Sequence, residues 1–395
     1  MQNGNKLSAP VDESTLPGTT RADAPDSAAK NPPATTPAAS TMGRRGFIAG
    51  ALALGAAGAL SACTGSKSKA AGSNGSAGSS SKTAGGTPIQ VASLKGPTSM
   101  GLVAFMQKAG QLSAEGASDM ESSGKRLAHA YEFQMMTSAD QIMPAMIKGD
   151  IDIALLPANA ASVLYAKFKG AVRCLNINTL GVLSVVTGDP SVRAFEDLAG
   201  RTVYLTGKGA TPEYVMNFLL DAAGMEGSVA LEFKSEAAEV VSVLATDAQA
   251  VGVLPQPFVT AAQVKNSALS APVDLTEVWE RFAKDTGSQL VTGVTVARAA
   301  FSDEKPEAVD EFMREQSASA DAVNADPAAA AKLVVAAGIV EAEPVAAKAI
   351  PACHITCIEG SQMRDALEGY LDVLYDADPA SIGGTMPGDK FYYQA

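Results

Sequence analysis

From Pro88 onward, short runs of apolar and β-branched residues alternate with stretches whose apolar positions recur every three to four residues. The first pattern favours strands and the second favours amphipathic helices. Their alternation predicts α/β layers with largely parallel strands. The clearest units are a strand at 89–94 with a helix at 100–109, and a strand at 202–206 with a helix at 212–223.

These two units are copies of one pattern. When the chain is shifted by 113 positions (208 minus 95), the Lys-Gly-Pro-Thr run at 95–98 lies on the Lys-Gly-Ala-Thr run at 208–211. A second helix–strand unit also occurs twice, at 139–156 and at 236–254, and each copy is followed by a proline. An internal repeat of this kind predicts two similar α/β halves.

Several helix starts carry capping signals. Ser138 followed by Gln141 predicts a capping box before the helix at 139–148. Thr211 is predicted as the N-cap of a later helix, which Pro212 begins at its first helical position.

Two similar halves predict a cleft between them, with both Lys-Gly-x-Thr loops at its walls. The free N–H groups and the positive dipole end of a helix favour a carboxylate, sulfonate, phosphate or polarised carbonyl. Thr98 and Thr211 either cap their helices or contact the ligand, and Lys95 and Lys208 lie either in the cleft or on the surface.

The loops after the second strand of each half should face the same cleft, because open α/β sheets bind ligands at the carboxyl ends of their strands. Asn159 and Gln256 offer amide groups there, and Phe258 offers an apolar wall. The alternative is that Pro157 and Pro255 simply end strands and that Phe258 packs in the core of its own half.

Charge and composition exclude several functions. The net charge is −12, from Lys+Arg 30 against Asp+Glu 42, which removes the electrostatic basis for binding nucleic acid. The chain has only two histidines and four cysteines, so we predict no catalytic residues, no metal site and no cofactor. Cys353, His354 and Cys357 form a compact cluster that lacks a fourth metal ligand, and we predict buried packing for it.

Residues 1–62 have the pattern of an export signal. Arg44 and Arg45 precede an apolar run from Phe47 to Ala62, which is shorter than the roughly 20 residues that cross a bilayer. The run ends in Leu-Ser-Ala-Cys at 60–63, which resembles a bacterial lipobox and implies cleavage before Cys63 and lipidation of its thiol. The arginine pair resembles a twin-arginine signal, with ordinary secretion as the alternative. Residues 63–87 then form a Gly/Ser/Ala-rich tether.

As a set, five segments resemble the substrate-binding proteins of ABC transporters in the nitrate, sulfonate and taurine group, which includes the thiamine-precursor binders. The resemblance runs from about Ile89 to Tyr393, and its segments are 95–101, 152–159, 206–214, 234–236 and 254–258. It implies a type II periplasmic-binding-protein fold, in which two α/β lobes are joined by two crossover segments around a ligand cleft. It further implies a monomer that is held outside the cytoplasmic membrane by lipid on Cys63 and delivers a small solute to an ABC permease and its ATPase.

On this resemblance, lobe 1 comprises 88–180 with 294–395, and lobe 2 comprises 181–293. Hinges are expected near Gly181 and Gly293, where glycine can absorb backbone rotation. Gln289 is a weaker candidate contact. The predicted ligand-binding residues are Lys95, Gly96, Pro97, Thr98, Ser99, Asn159, Thr179, Lys208, Gly209, Ala210, Thr211, Gln256 and Phe258.

Two other functions remain open at this point. One is a ligand sensor that docks on a membrane receptor, which the sequence does not separate from an importer component. The other is an enzyme similar to the pyrimidine synthases that resemble the thiamine-precursor binders, but the cysteine-rich iron motif of those enzymes is missing here.

Overall fold

Two mixed sheets and their covering helices account for the described residues, which are 86–115, 120, 124–284 and 287–394 of a computed structural model. The predicted export signal, Cys63 and the tether up to residue 85 lie outside the described residues. The strands are β1 (Ile89–Leu94), β2 (Tyr131–Met136), β3 (Ile153–Pro157), β4 (Val172–Leu180), β5 (Leu183–Thr187), β6 (Thr202–Leu205), β7 (Ala230–Phe233), β8 (Val251–Pro255), β9 (Ser270–Asp274), β10 (Val291–Arg298) and β11 (Ile355–Ile358).

The strand orders confirm the internal repeat. One sheet has the order β11-β4-β10-β3-β1-β2 and the other has the order β7-β6-β8-β5-β9. In each sheet the first strand of the repeat pairs in parallel with the next two, and a strand from elsewhere in the chain then pairs antiparallel with the third. The prediction of largely parallel strands is therefore wrong, because the strands at the two crossovers enter both sheets in the opposite direction.

The helices lie on these sheets. They are α1 (Pro97–Met100), α2 (Val103–Lys108), α3 (Ala139–Lys148), α4 (Ala158–Lys167), α5 (Thr211–Ala222), α6 (Ala237–Thr246), α7 (Phe258–Lys265), α8 (Leu275–Ala283), α9 (Ala299–Glu304), α10 (Pro306–Ala325), α11 (Pro327–Ala336), α12 (Glu343–Ala349) and α13 (Gly360–Ala377). The single helix predicted at 100–109 is two short helices. They are separated at Gly101, where an added Cβ would lie 2.8 Å from Ile355 Cγ2, so glycine lets β11 come close.

Two capping predictions need correction. Ala210 rather than Thr211 is the N-cap of α5, and Thr211 is its first helical residue. Ser138 does cap α3, but its hydroxyl accepts from the Asp140 amide, and Gln141 reaches the Thr137 amide instead of closing a capping box. Both shifts are about one residue along the chain, which is the usual uncertainty of a helix start.

The chain crosses between the two sheets twice. It leaves the six-stranded sheet after Leu180, enters the five-stranded sheet at Leu183, and returns between Ala283 and Val291. Apolar residues from both sheets contribute to one core cluster, which includes Trp279. The predicted lobe boundaries lie at the first crossover and inside β10, and the division into lobes stays a prediction.

Candidate functional site

The loop after β1 is packed against a glycine of the second crossover strand. Gly293 pairs with Pro157 of β3 on one side and with Thr179 of β4 on the other. A Cβ added to Gly293 would lie 2.4 Å from Thr98 Cγ2 and 2.6 Å from Asn178 Oδ1. Glycine at this position therefore lets Thr98 of α1 lie directly beside the carboxyl ends of β3 and β4.

The two hydroxyl groups of α1, the short helix that follows that loop, already have partners. Thr98 Oγ1 donates to the Leu94 carbonyl at 3.2 Å, and Ser99 Oγ contacts Ser93 Oγ at 2.9 Å and also lies close to the Leu94 carbonyl. Both side chains are buried. Gly96 has φ 150°, a conformation that favours glycine, and no side chain caps α1.

Asn159 and Thr211 bring the two repeats together. Asn159 is in the first turn of α4, just after β3, and Thr211 begins α5, after β6. The Thr211 hydroxyl donates to Asn159 Oδ1 at 3.5 Å, and Asn159 Nδ2 donates to the Ser381 carbonyl at 3.4 Å. This contact joins the carboxyl ends of strands from the two sheets, as the repeat predicts.

A second polar contact lies one turn further along α5. The Tyr214 hydroxyl donates to Asp378 Oδ2 at 3.0 Å, just beyond the end of α13. Burial raises the pKa of the Tyr214 phenol, and the neighbouring Asp378 carboxylate raises it further. The phenol therefore remains a hydrogen-bond donor at neutral pH.

Sequence reasoning missed the aromatic residues beside Thr211. Tyr370 of α13 is fully buried, and its hydroxyl has no hydrogen-bond partner of acceptable geometry among the described residues. Burial raises the pKa of this phenol, and the nearby Thr211 hydroxyl partly offsets the rise. The Trp279 ring lies 5.6 Å from the Tyr370 ring and 4.4 Å from the Phe218 ring. Neither Tyr370 nor Trp279 belongs to the repeated segments, so the repeat contains no signal for them.

The charged groups at the loops do not form a cationic pocket. Lys95 and Lys208 are both exposed. The Gly209 amide, predicted to meet an anion, donates instead to the Glu213 carboxylate at 2.5 Å. An acidic side chain of α5 itself thus occupies part of the helix start that was expected to attract an anionic ligand.

Four further residues predicted from the sequence lie in different surroundings, and two of them bond a residue close to them in the chain. Thr179 is buried and donates to Asn178 Oδ1 at 2.9 Å. Gln256 is buried, and its Oε1 accepts from the Thr260 hydroxyl at 2.9 Å. Phe258 is 41% exposed, so the alternative in which it packs in the core is wrong. Gln289 Oε1 is buried, with no hydrogen-bond partner in the part of the chain that the structure describes.

Around the cysteine cluster, as in the rest of the described part of the chain, no group of three or more His, Cys, Asp and Glu side chains is arranged to hold a metal ion. Cys174, Cys353 and Cys357 are free thiols. Cys353 is buried against Met100, with 3.6 Å between the two sulfurs, and burial raises its pKa to about 12. Buried packing is therefore confirmed for Cys353, and Cys357 is half-buried.

Four cavities of 400–670 Å³ lie among the described residues, and none of the predicted ligand-binding residues lines them. The 670 Å³ cavity lies between α5 and α13, with Phe218 and Val373 among its apolar walls and the acids Asp221 and Asp376 at its edge. The predicted ligand residues meet through direct contacts instead.

The orphaned hydroxyl of Tyr370 leads to a stability prediction. The variant Tyr370→Phe should leave the free energy of unfolding unchanged or raise it by about 1 kcal/mol, because it removes a buried group that has no partner. Urea denaturation measures this difference. Tyr392→Phe is the matched control, since Tyr392 is also buried with an unpartnered hydroxyl but belongs to the C-terminal segment after α13. A loss of roughly 2 kcal/mol in Tyr370→Phe would mean that Thr211 bonds this hydroxyl after all.

Part of the chain matches a known family model. Residues 166–330 match the family model described as NMT1/THI5 like. Among curated proteins, no sequence matches the chain significantly. No helix in the described part of the chain has the length and apolar character needed to cross a membrane.

Solved structures show the fold. An ABC transporter structure from Parabacteroides distasonis is 21% identical, with a TM-score of 0.64 over 78% of this chain and 99% of that one. The periplasmic aliphatic sulphonate-binding protein SsuA from Escherichia coli is 12% identical, with a TM-score of 0.58 over 78% and 92%. The alkanesulfonate-binding protein SsuA from Xanthomonas axonopodis pv. citri, bound to MOPS, is 12% identical, with a TM-score of 0.54 over 77% and 96%. The predicted type II periplasmic-binding-protein fold is thereby confirmed.

Proposed function

We propose that this chain is an extracytoplasmic solute-binding protein that captures a small organic or oxyanion solute between its two sheets and delivers it to an ABC importer. The observation that carries the proposal is the contact between Asn159 and Thr211. It joins the carboxyl ends of β3 and β6, which is where open α/β sheets bind ligands. The similarity to binding proteins of ABC transporters supports the same role.

The proposed binding step is an exchange of polar partners. A solute that enters between α4 and α5 replaces the long hydrogen bond between Asn159 and Thr211 with shorter bonds to itself. The Tyr370 hydroxyl, unpartnered beside Thr211, becomes a third group that can bond the solute. Binding then satisfies a buried polar atom that costs free energy in the protein alone.

The charge around the site bears on the solute. The Glu213 carboxylate accepts the hydrogen bond that the Gly209 amide could otherwise donate to a solute, and Lys95 and Lys208 are both exposed. An anionic solute that binds at the start of α5 must therefore displace the Glu213 carboxylate. An uncharged solute avoids this cost. Both classes belong in the ligand screen for this reason.

We further propose that the protein is exported and anchored by lipid on Cys63, in front of a Gly/Ser/Ala-rich tether. The support is the Leu-Ser-Ala-Cys run at the end of a short apolar stretch. Export through the twin-arginine route is proposed on Arg44 and Arg45 alone. The proposed role involves no catalytic step and no cofactor.

A thermal-shift screen tests the proposed function. Sulfonates, nitrate, bicarbonate, pyrimidines and amino acids are added separately to the purified protein, and the unfolding midpoint is recorded. A bound solute at a hundred times its dissociation constant should stabilise the protein by about 2.7 kcal/mol. If no solute raises the midpoint while one of them is chemically converted, the protein is an enzyme and the proposal fails.

A further inference from the structure

His354 holds the first crossover by two hydrogen bonds. Its ring Nδ1 lies 2.5 Å from the Gly181 carbonyl oxygen, and its own carbonyl accepts from the Leu180 amide at 3.1 Å. A carbonyl oxygen can only accept, so Nδ1 is the donor in this hydrogen bond. The two bonds fix consecutive residues at the point where the chain leaves the six-stranded sheet.

The backbone of His354 is in an uncommon conformation. Its φ is 44°, in the left-handed region, and Lys169 is the other non-glycine residue with positive φ in the described part of the chain. Residues held in this region at a cost indicate that the surrounding structure requires them there. At His354, the left-handed turn places the ring under Gly181 immediately before β11 begins.

The crossover that His354 holds is closely packed. A Cβ added to Gly181 would lie 2.3 Å from Thr276 Oγ1 and 2.8 Å from Leu290 Cδ2. Thr276 is in α8 of the five-stranded half, and Leu290 directly precedes β10. Both crossovers and His354 therefore meet at Gly181, so a shift of the Gly181 carbonyl changes the position of one sheet relative to the other.

Strand pairing links the region around His354 to Thr98, one of the predicted ligand-binding residues. Ile355, next to His354, pairs with Thr179, and Thr179 pairs with Gly293, which lies against Thr98. We propose that His354 is a positioning residue that, by binding the Gly181 carbonyl, holds the two sheets where Asn159 and Thr211 meet. This inference rests on the proposed function only in giving that contact a solute-binding role.

An isosteric pair of variants tests the hydrogen bond itself. In His354→Asn, the amide nitrogen occupies the position of Nδ1 and still donates to Gly181. In His354→Asp, the ionised carboxylate has the same shape but can only accept. Both residues tolerate the left-handed conformation, so the pair differs mainly in the donor.

The chain contains one tryptophan, Trp279, and it reports directly on this arrangement. It is fully buried, its ring lies at a tilted angle beside the Tyr370 ring, and it donates to Ser288 Oγ in the second crossover. Acrylamide quenching of Trp279 fluorescence is measured without any solute. We expect His354→Asp to raise the quenching constant at least about threefold, with a red-shifted emission maximum, and His354→Asn to stay near the wild type.

Hydrogen exchange provides a second measurement. The Leu180 amide should exchange faster in His354→Asp than in the wild type, while amides of β1 should keep their protection. The proposal would be overturned if the quenching constant were the same in both variants and the wild type. It would also be overturned if His354→Asn and His354→Asp raised the quenching constant equally. If His354→Asp does not fold, His354→Gly replaces it, because glycine keeps the left-handed turn and lacks the donor. None of these results depends on whether a solute binds, so a failed ligand screen leaves this test intact.

Discussion

Gly293→Ala should destabilise the protein by about 3 kcal/mol, although it adds a single methyl group. The new Cβ would lie 2.4 Å from Thr98 Cγ2 and 2.6 Å from Asn178 Oδ1, both closer than real Cβ atoms come to their neighbours. Asn178 cannot move freely, because it is buried and bonds Thr179 and Thr295. Overpacking and a weakened buried amide together account for the expected loss. Thermal unfolding should show a decrease of roughly 5 °C in the midpoint.

A second glycine provides the control for this prediction, and a substitution at Thr98 should rescue the lost stability. Gly388→Ala should change the midpoint little, because Gly388 has φ −81° and its nearest neighbour would be 3.9 Å from the new Cβ. Thr98→Ser removes the clashing methyl group and keeps the hydroxyl that donates to Leu94. The double variant Thr98→Ser, Gly293→Ala should therefore recover a large part of the loss. If the losses of stability in the two single variants simply add in the double variant, the Thr98 methyl group does not clash with the new Cβ at position 293.

This tight packing changes the expectation for the two predicted hinges. The sequence predicts Gly181 and Gly293 as hinges because glycine has backbone freedom. In the structure both glycines are where other segments approach most closely, so their small size matters at least as much as their freedom. Spacing along a sequence does not separate these two uses of glycine, because the neighbours come from distant segments.

The repeated part of the molecule was the most predictable. Strand β1 was predicted with its observed bounds and α3 likewise, because each has strong periodicity and clear end signals. The repeat also predicted that the loops with Asn159 and Thr211 would converge. The antiparallel strands β5 and β10 were not foreseen, since their partners are fixed by the chain crossing between sheets.

The candidate site was less predictable for a physical reason. Three of its residues come from unrepeated segments, namely Tyr370, Trp279 and His354. Each of them contacts a residue more than 70 positions away in the chain, since the Trp279 ring lies beside the Tyr370 ring and His354 bonds Gly181. Gln256 was predicted to face the ligand, but the hydroxyl of Thr260, four residues on in the first turn of α7, provides a nearby partner. Local competition of this kind for hydrogen bonds is not visible from residue type.

The double variant Asn159→Leu, Thr211→Val should weaken solute binding by at least about 100-fold, with little effect on the fold. Each substitution keeps the approximate side-chain shape and removes the polar group, so a bound solute would leave two of its own polar groups unpaired. At about 1.5 kcal/mol for each group, the total is about 3 kcal/mol, which corresponds to about two decades in affinity. Isothermal titration with the solute identified by the thermal-shift screen measures this loss.

Stability should change much less in that variant. The variant removes two long bonds, the one between Asn159 and Thr211 at 3.5 Å and the one from Asn159 Nδ2 to the Ser381 carbonyl at 3.4 Å, so their loss together should cost no more than about 1 kcal/mol in unfolding experiments. Thr202→Val is the matched control, because Thr202 is exposed in β6 and lies at the opposite end of that strand from the loop that leads to Thr211. It should bind the solute as the wild type does. Unchanged affinity in the double variant would place the solute elsewhere, and the 670 Å³ cavity between α5 and α13 would be the next site to test, through Phe218→Ala.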